Sequence, residues 1–288
     1  MNLGTKKVLY IDLSDKAFGI KLHNDLSKYI GGVGLGAKLL SLSENAEVGV
    51  ASSEPVIFSI GPLNGYYPYA SKTSVLFRYK DRVMDQYLGG NLSTRIKFAG
   101  IDSIVISGRS KVPVAFEFID DQVRFYTGEF DINSMGLPGK RAQVVSEEGN
   151  YSVGNYFASS GDGLNAILAS KNLAGFVVTG TQNRPLPKSP KYQEIFNSLL
   201  ARISQITVEK DGHPSCAGCP VGCSESKFGE IGGNVLVHSL VACAFAENIY
   251  GDPNTVFSCL DALGSGYTHE DIENFPKLVY DLLEELKK

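Results

Sequence analysis

Short runs of β-branched and aromatic residues recur at 8–11, 56–60, 74–79, 103–106, 114–119, 123–126 and 176–178, each bounded by Gly, Pro, Asp, Lys or a short polar stretch. The pattern predicts strands. Between 114–119 and 123–126 the pair Asp120-Asp121 sits where a tight hairpin would turn, and Ala115, Glu117 and Ile119 alternate with Phe116 and Phe118 as in a half-buried strand. Residues 25–42 carry Leu26, Ile30, Val33, Leu39 and Leu40 at helical spacing, although Gly31, Gly32, Gly34 and Gly36 interrupt them. After Thr181 the pattern changes. The Pro-rich polar stretch 182–190 marks a boundary. Beyond it Tyr192, Ile195, Leu199, Leu200 and Ile203 follow a helical period, as do Val235, Ser239, Ala242 and Ala246, and again Ile272, Leu278, Leu282 and Leu286. The last helix is expected over 271–288, with Lys287 and Lys288 at the negative end of its dipole. The expected fold is α+β: a β-rich domain at 1–185 followed by a mostly helical domain at 186–288.

Composition narrows the function classes. The chain has 288 residues, 43% apolar and 20% charged, which is ordinary globular composition. With 31 acidic against 27 basic residues its net charge is -4, and no Lys/Arg cluster offers a phosphate backbone a binding stripe. No nucleic-acid partner is expected. The longest apolar stretch, 235–246, is broken by His238 and Ser239 and falls short of the ~20 residues that cross a bilayer. No membrane association and a cytoplasmic location are therefore expected. Gly32-Val-Gly34-Leu-Gly36-Ala37 has the form of a dinucleotide fingerprint but follows a helical pattern rather than a strand. Its glycines fit close packing of a helix on the sheet. The string Tyr66-Tyr67-Pro68-Tyr69 suits either a cofactor pocket or a rigid loop packed on the core.

The strongest local signal is Cys216-Ala-Gly-Cys219-Pro-Val-Gly-Cys223. Three thiols within eight residues on a Gly-bearing loop can converge on one metal centre, and soft thiolates select iron-sulfur clusters or zinc. An iron-sulfur cluster fits this C-x2-C-x3-C spacing better than zinc. Zinc sites more often pair C-x2-C units or add histidines at finger spacing, for which only His213 is at hand. Reduced structural thiols are the third reading. A cubane needs a fourth ligand. Cys243 reads as a small hydrophobe inside an apolar helical run. Cys259 lies on the next helix, separated from Cys223 by 35 residues, and is the fourth metal candidate.

In their order along the chain, several stretches resemble the aldehyde ferredoxin oxidoreductase family, tungsten-pterin enzymes that oxidise aldehydes and pass electrons through a 4Fe-4S cluster. They are Val8-Leu-Tyr-Ile-Asp-Leu-Ser14, Ile30-Gly-Gly-Val-Gly-Leu-Gly-Ala37, Ile60-Gly-Pro-Leu-Asn-Gly65, Gly89-Gly90 with Ile96-Lys-Phe-Ala-Gly-Ile-Asp102, Ser170-Lys-Asn-Leu173, the cysteine run and Asp261-Ala-Leu-Gly264. The resemblance implies a β-rich base under the pterin and helical domains that bring the cluster beside it. It also assigns the cluster to Cys216, Cys219 and Cys223. The family's fourth cysteine belongs to a later segment, since the resemblance covers about the first half of a typical member. Pterin-facing positions carried over are Lys72, Gly89, Gly90, Gly163, Asp261 and Gly264.

Departures from the family pattern bear on the cofactor. Ala70-Ser-Lys72-Thr-Ser74 stands where the family tends to carry Gly-Gly-Arg-Tyr-Asn, and a lysine meets a phosphate as a point charge, without arginine's bidentate fork. Tyr87-Leu-Gly89-Gly90 replaces Asn-Ser-Gly-Gly but keeps the glycines that allow close backbone approach. Asp162 stands in a loop that is Gly- and Arg-rich in the family, where an acid repels a pyrophosphate. No catalytic residue is assigned. The expected cofactors are a 4Fe-4S cluster and a tungsten- or molybdenum-bis-pterin. The expected partners are a second subunit or second copy that completes the site and a ferredoxin-type electron acceptor. One alternative is a pterin-free paralogue that retains the cluster for electron transfer or as a scaffold. A zinc-binding interaction module is the other.

Overall fold

The structure is a computed structural model that describes residues 4–44, 54–147, 150–154, 157–159, 163–206, 208–210, 212, 216–223, 234–241 and 243–287. His213 and Asp162 lie outside the described residues. Twelve strands form two six-stranded sheets. The first contains β1 (Lys6–Asp12), β2 (Ala17–His23), β3 (Val56–Ser59), β4 (Thr73–Tyr79), β5 (Arg82–Leu88) and β6 (Ser103–Ser107), in the order β2-β1-β6-β3-β4-β5. The second contains β7 (Val114–Ile119), β8 (Gln122–Thr127), β9 (Arg141–Glu147), β10 (Asn150–Val153), β11 (Phe157–Ser159) and β12 (Leu173–Thr179), in the order β11-β10-β9-β12-β7-β8. Only β1–β6 and β12–β7 pair in parallel; the other pairs are antiparallel.

Alternation along the strands explains the layering. In β1, Leu9 and Ile11 face the second sheet, where they join Phe58, Phe77, Phe116 and Phe176 in one core. Val8 and Tyr10 face the other way, into a core shared with the helices. The first sheet is thus covered on both faces, which is why its central strands read as continuous apolar runs. The helical cover consists of α1 (Gly32–Glu44), α4 (Pro190–Ala201), α5 (Val235–Ser239), α6 (Glu247–Tyr250), α7 (Pro253–Ala262) and α8 (His269–Leu286). Two shorter helices, α2 (Leu92–Phe98) and α3 (Leu164–Ser170), contribute Leu92, Ile96, Leu164 and Leu168 to the inter-sheet core. Among the described residues no helix is long and apolar enough to cross a membrane.

The fold is α+β with an N-terminal β-rich part, as the sequence predicts, and several details differ. The hairpin forms at Asp120 and Asp121, both with positive φ (48° and 67°), as a two-residue turn between β7 and β8 requires. The strand β7 is buried on both faces rather than half-buried, because Ala115 packs with Met135 and Val177 on the far side of the second sheet. The helix expected at 25–42 starts only at Gly32. The strands β2, β5, β9, β10 and β11 lack a dense apolar run and escape the sequence reading; β2, at a sheet edge, has no fully buried residue. The helix expected through 235–246 stops at Ser239, with Val241 in left-handed backbone at φ 53° and Ala244–Ala246 forming a separate 3-10 turn.

Candidate metal centre

Of the glycines expected to pack a helix on the sheet, Gly36 does face Leu76 of β4, whereas Gly32 and Gly34 make room for residues 238–241 and for α8, and with Gly61 they place the site. A Cβ on Gly32 would stand 2.2 Å from the His238 carbonyl oxygen, and one on Gly61 would stand 2.1 Å from that of Leu240. Without side chains at these two positions, the turn after α5 seats directly on the backbone of the β-rich part. From there the chain doubles back along residues 69–72. Lys72 N–H donates to the Val241 carbonyl at 3.3 Å, and Cys243 N–H donates to the Tyr69 carbonyl at 2.9 Å. Tyrosines lock the same seam. Tyr250 Oη donates to the Pro68 carbonyl at 2.6 Å, Tyr69 Oη to the Leu200 carbonyl at 3.0 Å, and Tyr192 Oη to the Tyr66 carbonyl. The aromatic string 66–69 is therefore largely a buried joint between sheet and helices.

The cysteine run docks against this seam. Gly90 and Cys216 form an isolated parallel bridge, and Ala217 N–H donates to the Gly90 carbonyl at 2.9 Å. Gly218 and Gly222 take positive φ (75° and 67°), so the run coils tightly enough to bring its sulfurs to one side. Cys216, Cys219 and Cys223 line one small cavity together with Cys243 and Lys72. Apolar Ile206, Val208 and Val221 and the ring of Tyr69 complete its wall. The cavity measures about 20 Å³, room for about one water. Among the described residues no three His, Cys, Asp or Glu side chains are placed to hold a single metal ion. The four sulfurs surround a common space without converging on one point.

Burial sets the electrostatics. The Cys219 thiol is pushed up to about 11, first by loss of water and then by the neighbouring sulfurs of Cys243 and Cys223, while the Lys72 ammonium works in the opposite sense. Burial of this kind keeps the Cys219 thiol protonated until a cation displaces its proton. Beside it, His238 is buried, with its ring centroid 3.9 Å from that of Tyr87 and Nε2 without a hydrogen-bond partner among the described residues. Burial, and then the charge of Lys72, lower its pKa to about 4, so the imidazole is neutral near pH 7.

The remaining predicted positions scatter. Cys259 is fully buried on α7 inside the sheet-helix core and does not line the thiol cavity. Cys243 stands in the fourth place instead. Sequence reading treated Cys243 as helical because nothing local announces the left-handed Val241. Gly90 serves the docking of the cysteine run, and a Cβ there would meet Val153 at 2.8 Å. Gly89 is buried beside it. Gly163, at φ 96°, precedes α3, where a Cβ would strike the Tyr79 ring at 2.8 Å. Asp261 is exposed on α7 and pairs with Lys191 at 3.8 Å, and Gly264 ends the same helix at the surface with φ 75°. Next to the cysteine run, a cleft of about 430 Å³ is lined by Tyr66, Tyr67, Pro68, Phe98, Ala217 and Gly218 among others. That is within the size range of small-molecule sites.

The sequence model of the aldehyde ferredoxin oxidoreductase N-terminal domain matches residues 8–137, the stretch that builds the first sheet. An aliphatic sulfonate oxidoreductase WOR-like subunit of Pyrococcus furiosus is 26% identical over 262 residues, covering 76% of this chain and 42% of the relative. Over its first half the chain is similar to the aldehyde ferredoxin oxidoreductase family. Within that family, a tungsten-containing aldehyde ferredoxin oxidoreductase of Pyrococcus horikoshii is 23% identical over 239 residues, covering 72% of this chain and 38% of the relative. The fold also matches a chain of the active site complex BamBC of benzoyl coenzyme A reductase, with a TM-score of 0.59 at 21% identity, over 74% of this chain and 38% of that one. This chain thus spans about two fifths of the length of these two relatives.

Proposed function

We propose that this chain is the cofactor-base and cluster-bearing portion of a tungsten- or molybdenum-pterin oxidoreductase, in which Cys216, Cys219 and Cys223 hold a 4Fe-4S cluster that relays electrons. In this reading residues 1–185 form the base and residues 186–288 bring the cluster to it. The observation that carries it is the meeting of the cysteine run, docked on Gly90, with Lys72 around one desolvated cavity. The donor set fits an iron-sulfur cluster: soft thiols, apolar walls and one cation. A cluster would spread the sulfurs beyond the present 20 Å³, and Gly218 and Gly222 give the run the backbone freedom to do so.

The chain's own residues have definite tasks in this reading. The thiols give up their protons as iron binds. Lys72 offsets part of the negative charge that the thiolates leave. Ile206, Val208 and Val221 keep water away, and Gly90 ties the cluster loop to the sheet. The tungsten- or molybdenum-pterin, when bound, supplies the two-electron oxidation of an aldehyde. The cleft of about 430 Å³ flanking the cysteine run is the place for an organic ligand beside the cluster. A ferredoxin-type protein accepts the electrons. The WOR-like subunit and the BamBC complex among the relatives support assembly with a second subunit that supplies the remainder of the site.

Specific observations also favour a second reading, a pterin-free electron-transfer or scaffold paralogue. Asp261 is engaged with Lys191 at the surface, and the space beside Gly90 is filled by Val153. Anaerobic purification of the chain with its natural partners, followed by metal analysis, separates the readings. Tungsten or molybdenum at about one per chain together with iron supports the first, and iron and sulfide without pterin the second. Zinc alone, or no iron in the native complex, overturns both.

A further inference from the structure

We propose that Cys243 is the fourth protein ligand of the cluster, so that this chain holds the complete ligand set without a cysteine from another segment or subunit. The inference rests on the cluster reading above and deepens it. Four of the five cysteines line one cavity, and the fifth, Cys259, packs in the helical core with none of its surface exposed.

The position of Cys243 is built by several independent features. The helix α5 ends at Ser239, and Val241 then adopts φ 53°, a left-handed conformation that a β-branched residue takes only when its surroundings impose it. Two backbone hydrogen bonds, from Lys72 to Val241 and from Cys243 to Tyr69, fix the turn against the strip that carries Lys72. Gly32 and Gly61 leave the room it needs, since a Cβ at either position would overlap the carbonyls of His238 and Leu240. After this turn Cys243 is extended (φ -65°, ψ 138°), and its side chain reaches the cavity instead of continuing a helix face. Had the helix run on, as the apolar pattern of 235–246 suggests, the sulfur would be a core hydrophobe like Cys259.

Assembly balances when iron is supplied in both oxidation states. Two ferrous and two ferric ions, four sulfides and the four thiols form the cluster and release four protons to solvent, and the cluster then takes up and releases one electron at a time. The chain therefore loads its cluster when expressed alone, whichever protein completes the pterin site.

The test is anaerobic reconstitution of the full chain with equal amounts of ferrous and ferric iron and with sulfide, comparing wild type, Cys243→Ala, Cys243→Ser, Cys259→Ala and Cys216→Ala. Iron and sulfide are counted per chain, and paramagnetic resonance is recorded in the oxidised and dithionite-reduced states. The expected result is about four irons per chain in wild type and Cys259→Ala. Cys243→Ala should give a three-iron signal in the oxidised state or lose the cluster. Cys243→Ser should retain a cluster with an altered reduced signal, and Cys216→Ala should lose iron. Circular dichroism checks that each variant is folded. Full iron with an unchanged reduced spectrum in both Cys243 variants overturns the inference and leaves the cluster reading intact, as does loss in Cys259→Ala alone. Failure of wild type to bind any iron defeats the cluster reading itself, and the inference with it.

Discussion

Gly61→Ala tests whether the seam between sheet and helices is as close as the structure places it. A Cβ at this position would lie 2.1 Å from the Leu240 carbonyl oxygen, 2.3 Å from its carbonyl carbon and 2.7 Å from its Cα. Real contacts of this kind do not fall below 3.0 Å, so the two backbones must separate by roughly 0.9 Å. Every atom met is main chain, and no rotamer change relieves the overlap. Overpacking of this kind costs about 3 kcal/mol. At this chain length that corresponds to a fall of roughly 5 °C or more in the unfolding midpoint. Gly36→Ala is the internal control. Its added Cβ would meet the Leu76 Cδ1 at 3.0 Å, the end of a flexible side chain, while a helix-interior Gly gains about 1 kcal/mol on becoming Ala. The two terms offset, and little change is expected. Differential scanning calorimetry on both variants, with cluster loading measured in parallel, checks the pair. Gly61→Ala should lose both stability and iron, because the displaced turn carries Cys243. If its midpoint matches that of wild type and Gly36→Ala within 1 °C, the close seating of the turn after α5 is wrong.

Three further outcomes are expected. Because burial holds His238 neutral down to about pH 4 while the unfolded chain protonates it from about 6.5, stability falls as pH drops through that window. The loss should be about 2 kcal/mol between roughly pH 7 and pH 5, measured by urea unfolding, and Gln at position 238 should remove that part of the slope. Lys72→Met takes a positive charge from the cavity wall, so redox titration of the loaded protein should give a midpoint lower by tens of millivolts; an unchanged or higher potential would contradict the placement of Lys72. Phe176→Ala removes a fully buried ring that stacks on Phe116 at 5.1 Å and meets Phe58 edge-on at 5.2 Å. It should cost about 3–5 kcal/mol in unfolding experiments, and a loss below 1 kcal/mol would argue against the two-sheet core.

Local chemistry alone settled a good part of this protein. The dense β-branched runs at 8–11, 56–60 and 103–106 read as strands, and Asp120-Asp121 as a tight turn between two further strands, and the structure has both. The C-x2-C-x3-C spacing singled out Cys216, Cys219 and Cys223 because three soft donors on so short a loop have few other uses. What the sequence could not decide depends on contacts between residues far apart in the chain. The edge strand β2 and the strands β9–β11 carry few fully apolar positions, and only pairing with neighbours makes them strands. The apolar spacing of 235–246 favours one continuous helix, yet packing against Gly32 and Gly61 and hydrogen bonds to residues 69–72 break it at Val241. That break, set by residues about 170–210 positions away in sequence, brings Cys243 into the thiol cavity and leaves Cys259 out of it. Periodicity reports which face of an element is apolar, whereas the end of a helix held by distant backbone groups leaves no mark in its own residues.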